Sequence, residues 1–175
     1  MTFKKKYHNW GDGKVSYIEW DKDISLPGLQ FCHATGFNAL TYKKLLEPLS
    51  DLFHIRAEDA RGHGFTETSA IPKTIFDWKI YRDDLIQSVE NFVESKGEPI
   101  VLSGHSMGGA SVMQVAAKRP DLVSGIVLVE PVLISKMSLN ILKIAKKFPI
   151  TKSIPFIKEM TSRSCLLYTS PSPRD

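Results

Sequence analysis

The chain has 175 residues, 42 % of them hydrophobic, and a net charge of +4, which suits one globular domain. No stretch reaches the roughly 18 consecutive apolar residues of a membrane span. The longest basic run is Lys4-Lys5-Lys6, too short to indicate a nucleic-acid partner.

In chain order, Lys5 to Trp10 and Lys14 to Trp20 alternate in polarity around Gly11-Asp12-Gly13, which predicts a β-hairpin. Leu29 to Cys32 is a short apolar strand that ends in His33-Ala34-Thr35-Gly36-Phe37. Ala39 to Leu49 carries leucines at near-helical spacing, with Pro48 expected to end the helix early. A strand over Leu52 to Ala57 runs into the loop Asp59-Ala60-Arg61-Gly62-His63-Gly64. Thr74 opens a long helix, with Thr74 and Asp77 in capping spacing and Gly97 as its stop. On that helix Trp78, Tyr81, Leu85, Val89, Phe92 and Val93 share one face, and Arg82, Asp83, Asp84, Glu90 and Glu94 fall away from it. A strand over Pro99 to Ser103, a helix from Met107 to Lys118 and a strand over Gly125 to Val129 follow. Strands alternating with helices predict an α/β fold: a mostly parallel sheet with helices on both faces, starting with a β-hairpin.

Between the strand at 99–103 and the helix at 107–118 lies Gly104-His105-Ser106-Met107-Gly108, a G-x-S-x-G pattern. A serine on a sharp strand-to-helix turn is pushed out at the end of the sheet, where it can attack a carbonyl. Small residues on both sides let the turn close and let the helix lie against the neighbouring strands. Ser106 is therefore the candidate nucleophile; the competing reading is an ordinary glycine-rich β–α connection.

Three segments in this order, 33–37, 59–64 and 104–109, resemble the α/β-hydrolase superfamily. Within it they resemble the cap-bearing serine hydrolases, a group of esterases, lipases and lactonases. The resemblance covers residues 5 to 160 and implies the N-terminal part of that fold, a core over 1–134 and the start of a helical cap over 135–164. It also implies an oxyanion hole. One donor is the backbone N–H of Met107, at the start of a helix whose dipole favours negative charge. Similar chains carry Gly where this one has Ala34, so the second donor falls to Thr35, with Gly36 as the alternative. His105, Gly36 and Phe37 flank the substrate position. His33 is read as a loop brace, and Asp59, Arg61 and His63 as a structural loop. His8 and His54 read as strand positions.

The five histidines are His8, His33, His54, His63 and His105, and none follows Ser106. In this fold the triad runs serine, acid, histidine along the chain, so the base is missing and the sequence reads as C-terminally truncated. Glu130, directly after the strand at 125–129, is the candidate acid; its alternative is a carboxylate bracing the loop. Residues 165–175 fit no element and resemble the translation of a sequencing adapter, a tail to set aside. The expected activity is hydrolysis of a carboxylic ester, thioester or lactone through an acyl-enzyme at Ser106, with the 175 residues themselves inactive for want of the histidine. The alternative is a non-catalytic member that binds a small ligand.

The expected partner is a small acyl substrate, with no nucleic acid. The basic amphipathic stretch from Ser135 admits weak contact with a membrane surface, although a solvated helix covering the site is the plainer reading. No histidine pair has metal-ligand spacing, and neither metal nor cofactor is expected. Two cysteines, Cys32 and Cys165, and an N-terminus with no apolar segment behind its lysines fit a reducing, cytoplasmic location.

Overall fold

The computed structural model describes residues 3–10, 13–68 and 79–133. The alternating first segments pair as β1 (Lys4–Trp10) and β2 (Gly13–Trp20), antiparallel, with Lys4 opposite Glu19 and Trp10 opposite Gly13. Gly11 and Asp12 of the predicted turn lie outside the described residues. β3 (Gly28–Cys32), β4 (His54–Glu58), β6 (Ile100–His105) and β7 (Val123–Val129) form the parallel part of the sheet. A two-residue β5 (Glu67–Thr68), too short to leave a periodic signal, pairs with the start of β2. The strand order is β1-β2-β4-β3-β6-β7. After β3 the chain places β4 on one side and β6 on the other. That reversal opens a crevice at the C-terminal ends of β3 and β6, where open α/β sheets bind their ligands.

Strand residues alternate between two apolar layers. Ile18, Trp20, Leu29, Phe31, Ile55 and Ala57 pack with Ala39 and Leu46 on one face. On the other, Cys32, Ile100 and Leu102 meet Leu85, Val89 and Phe92 of α2 (Lys79–Lys96) and Val112 and Val115 of α3 (Met107–Lys118). Each fully buried large aliphatic or aromatic side chain contributes about 1.5–3 kcal/mol of transfer free energy. The two layers pack on opposite faces of the sheet behind the crevice.

Several boundaries differ from expectation for local reasons. The segment predicted as one helix over 39–49 is a 3-10 turn Ala39–Tyr42, a single α turn α1 (Lys43–Leu46) and a 3-10 turn Glu47–Asp51. Asn38 caps the first by accepting Thr41 N–H at 3.0 Å. Pro48 stands at the start of the last, where its missing N–H costs nothing, so the chain tightens there instead of stopping. β4 begins at His54, not Leu52, because the N–H groups of Leu52 and Phe53 both turn back to the Leu49 carbonyl, at 2.9 and 3.0 Å. β6 extends past Ser103 because Gly104 and His105 still pair with Leu128 and Val129. Asp84, expected on the solvent side of α2, is buried; its partner is described below. The Thr74/Asp77 cap, the cap segment at 135–164 and the tail at 165–175 lie outside the described residues. Among the described residues no helix is long and apolar enough to cross a membrane.

Candidate active site

Ser106 joins β6 to α3 with φ 52° and ψ −110°, a backbone region that non-glycine residues enter only when their surroundings impose it. Three backbone hydrogen bonds impose it here. Ser106 N–H donates to the Val129 carbonyl at 3.0 Å, and its own carbonyl accepts from Ala110 at 3.0 Å and Val132 at 3.1 Å. The glycines of the motif are close-approach residues. A Cβ on Gly108 would lie 2.2 Å from the Cys32 carbonyl oxygen, and one on Gly104 would lie 2.5 Å from the Gly108 carbonyl carbon. Helix α3 therefore starts against the end of β3, and the Ser106 side chain sits half-exposed at the crevice.

The second non-glycine residue with positive φ among the described residues is Glu130, at 43°. It is exposed, and it lies in the strap 129–132 whose ends clasp the Ser106 backbone.

The loop after β3 borders the same crevice. It turns through Phe37 N–H to the Ala34 carbonyl at 3.1 Å, with Gly36 at φ 80°. Thr35 and Gly36 are half-buried at its tip, and Phe37 is exposed. Two side chains fix the loop from beneath. His33 Nδ1 is 2.7 Å from the Ala34 carbonyl, and its Nε2 accepts the Ala60 N–H at 2.9 Å. A carbonyl only accepts, so Nδ1 carries the proton and the ring is neutral. Burial, aided by His63, holds its pKa down at about 3. From the other side, the Tyr42 hydroxyl accepts the Ala34 N–H at 3.1 Å and is hydrogen-bonded to His105 Nδ1 at 2.7 Å. Phe37 packs on both rings, with centroids 6.1 Å from Tyr42 and 6.5 Å from His105. Tyr42 escaped the sequence reading because its partners are 8 and 63 positions away.

The 59–64 loop is held by charge. Asp59 accepts from Ala39 N–H at 2.8 Å and Phe65 N–H at 2.9 Å. Arg61 grips Asp84 with two hydrogen bonds of 2.7 and 2.8 Å, both side chains buried. His63 gives Nδ1–H to the Arg61 carbonyl at 3.0 Å, and burial lowers its pKa. These groups tie β4 to the first 3-10 turn and to α2. Among the described residues no cluster of His, Cys, Asp or Glu has the geometry of a metal site.

The crevice thus gathers Ser106, the first N–H of α3 at Met107, the 34–37 turn, His105, Phe37 and the strap bearing Glu130. Orphan N–H groups at a helix start and a turn tip are suited to an oxygen that gains negative charge.

The sequence pattern of the family described as "Serine aminopeptidase, S33" matches residues 29–163. Monoglyceride lipase from Mus musculus is 36 % identical over 128 residues, which is 71 % of this chain and 42 % of the lipase. The solved structure of E-2-(acetamidomethylene)succinate hydrolase is 29 % identical with a TM-score of 0.60, covering 71 % of this chain and 43 % of that one. The thioesterase domain from the curacin biosynthetic pathway, at 18 % identity, shares the fold with a TM-score of 0.69 over 98 % of this chain and 70 % of its own. The chain spans less than half the length of the lipase and the succinate hydrolase. It belongs to the serine aminopeptidase S33 family of α/β-hydrolases.

Proposed function

We propose that Ser106 is the nucleophile of a hydrolase acting on carboxylic esters, thioesters or lactones. The observation that carries this reading is the Ser106 backbone, held at φ 52° by three hydrogen bonds at the open end of the β3–β6 crevice. The hydroxyl would attack the acyl carbon. The oxyanion would take the N–H of Met107 and, from the 34–37 turn, that of Thr35 or Gly36. Collapse of the tetrahedral intermediate would expel the alcohol or thiol, and water would hydrolyse the acyl-enzyme. His105 and Phe37 would form the wall beside the acyl group, and Glu130 is the candidate acid of the triad.

The hydroxyl needs a base. His33 has both nitrogens engaged beneath the loop, His63 lies buried in the 59–64 loop, and His105 is bonded to Tyr42. We therefore assign activity to a longer natural chain that carries a further histidine, with residues 1–134 as its core, 135–164 as the start of its cap, and 165–175 foreign to it. A small acyl substrate and a cytoplasmic setting go with that assignment.

The test is labelling with a fluorophosphonate. The longer protein should label and Ser106→Ala should not. The 175-residue chain should label far more slowly, because loss of a triad histidine costs on the order of a millionfold in turnover. A folded longer protein that never labels would instead favour a non-catalytic, ligand-binding member.

A further inference from the structure

Beneath the elbow lies a cavity of about 30 Å³ bordered by Cys32, Glu58, Arg61, Tyr81, Asp84 and Gly108. Glu58 is the last residue of β4 and is 6 % exposed. Its Oε2 has no hydrogen-bond partner; the buried Ser88 hydroxyl of α2 is the one neighbour that favours its ionised form.

Ionised, Glu58 would be poorly served. Its charged neighbours Asp59 and Asp84 are both acidic, and Arg61 commits two N–H groups to Asp84. The other titratable groups around it are the Cys32 thiol of β3, His33 beyond β3, the Tyr81 phenol of α2 and, across the strand pairing, Tyr17 of β2. His33 is neutral, and burial raises the pKa of Cys32 and of both tyrosines, so none of these three is an anion that repels or a cation that pairs near neutral pH. An isolated buried carboxylate costs far more than a buried neutral acid. A cavity needs about 10–15 Å³ to accept one water and polar partners to keep it, so this one, partly open at its mouth, has room for about two waters.

We propose that the cavity is a water site and that Glu58 is folded into it as a neutral carboxylic acid, its hydroxyl donated to water held there. Burial, reinforced by Asp84 and Asp59 and only partly offset by Ser88, pushes the Glu58 pKa from 4.5 up to about 8. The proposal is independent of the role of Ser106. It does bear on the same seam, because Gly108 of α3 both borders the cavity and touches the end of β3.

The sign of the pH effect follows. Below pH 4.5 both folded and unfolded chains hold the Glu58 proton. Between 4.5 and 8 only the folded chain holds it, so the unfolded state gains and stability falls as pH rises. The loss is about tenfold in the unfolding equilibrium per pH unit for one group. Above that range the penalty is constant.

The full chain is unfolded in urea at pH 5, 6, 7 and 8, beside Glu58→Gln, which is nearly isosteric and cannot ionise. Wild type should lose about tenfold per pH unit relative to the variant; parallel profiles overturn the proposal. Infrared spectra provide a readout that does not need the variant to fold. Wild type at pH 7 should show a protonated-carboxyl band that fades above pH 8, and absence of that band overturns the proposal. A crystal structure should place water within hydrogen-bond distance of Oε2; a dry cavity overturns that half.

Discussion

At Ser106, three backbone hydrogen bonds, two from the 129–132 strap and one from α3, maintain a conformation that costs on the order of 1–3 kcal/mol. The same economy governs the neighbouring loop, where Tyr42 satisfies a buried N–H and a ring nitrogen with one hydroxyl. Tyr42→Phe keeps the ring contacts with Phe31, Phe37 and His105 and removes only that oxygen. The buried Ala34 N–H loses its acceptor. The expected cost is about 1–3 kcal/mol in urea unfolding, with faster amide exchange at Ala34 as the local sign. Unchanged exchange there would mean water replaces the hydroxyl. His33 shows the complementary logic: a fully satisfied, neutral ring that serves architecture and has no free nitrogen for catalysis.

Among the elements, α2 and β4 have the most at stake. The face of β4 toward α2 carries His54, Arg56 and Glu58, all buried. Arg56 Nε and His54 Nε2 both bond Glu19 of β2, at 2.7 and 3.0 Å, and Lys6 joins them. Arg56 also lies over the Phe92 ring at 4.1 Å. Burial alone would raise the Glu19 pKa, but the hydrogen bonds from His54, Lys6 and Arg56 outweigh it and hold it well below the usual carboxylate range. Just past the end of β4, the Arg61–Asp84 pair clamps the loop to α2. Asp84→Asn leaves the guanidinium buried with a neutral partner, a change expected to cost about 3–5 kcal/mol. Chemical denaturation measures it; a loss under about 1 kcal/mol would mean the pair behaves like a solvated surface bridge.

For the whole molecule, buried titratable groups set an opposing pair of pH slopes. Burial lowers His33 to about 3 and His8 to about 4, and it lowers His63 as well. These rings stay neutral when folded, so below 6.5, their ordinary value, the unfolded chain takes up protons that the folded one refuses. Stability therefore rises with pH up to 6.5. The Glu19 cluster adds stability that is complete above 4.5 and lost as pH falls through and below that value. Glu58 works the other way, between 4.5 and about 8, and so does Asp59, whose pKa burial also raises. Three rising contributions outweigh the two falling ones until the histidines are spent, so urea unfolding across the range should show a maximum near pH 6.5. A decline on its alkaline side should be present in wild type and absent in Glu58→Gln. At the β7 end of the sheet, Ile126, Val127, Val129 and Leu133 are exposed, an apolar edge prone to self-association.

Much of the fold was legible in the sequence because strand and helix periodicities are local, and because the glycines around Ser106 mark a turn that only small residues can close. The alternation of β1 and β2, the apolar runs of β3, β6 and β7, and the position of the elbow all follow from neighbours within a few residues. Partnerships across long separations were not legible. Asp84 was placed on the solvent side because helical spacing alone cannot see Arg61, and the roles of Tyr42 and Glu58 depend on atoms brought together by the strand order β4-β3-β6. Hydrophobic pattern decides which face of an element is buried; where a charge can be buried depends on which partner the tertiary fold brings to meet it.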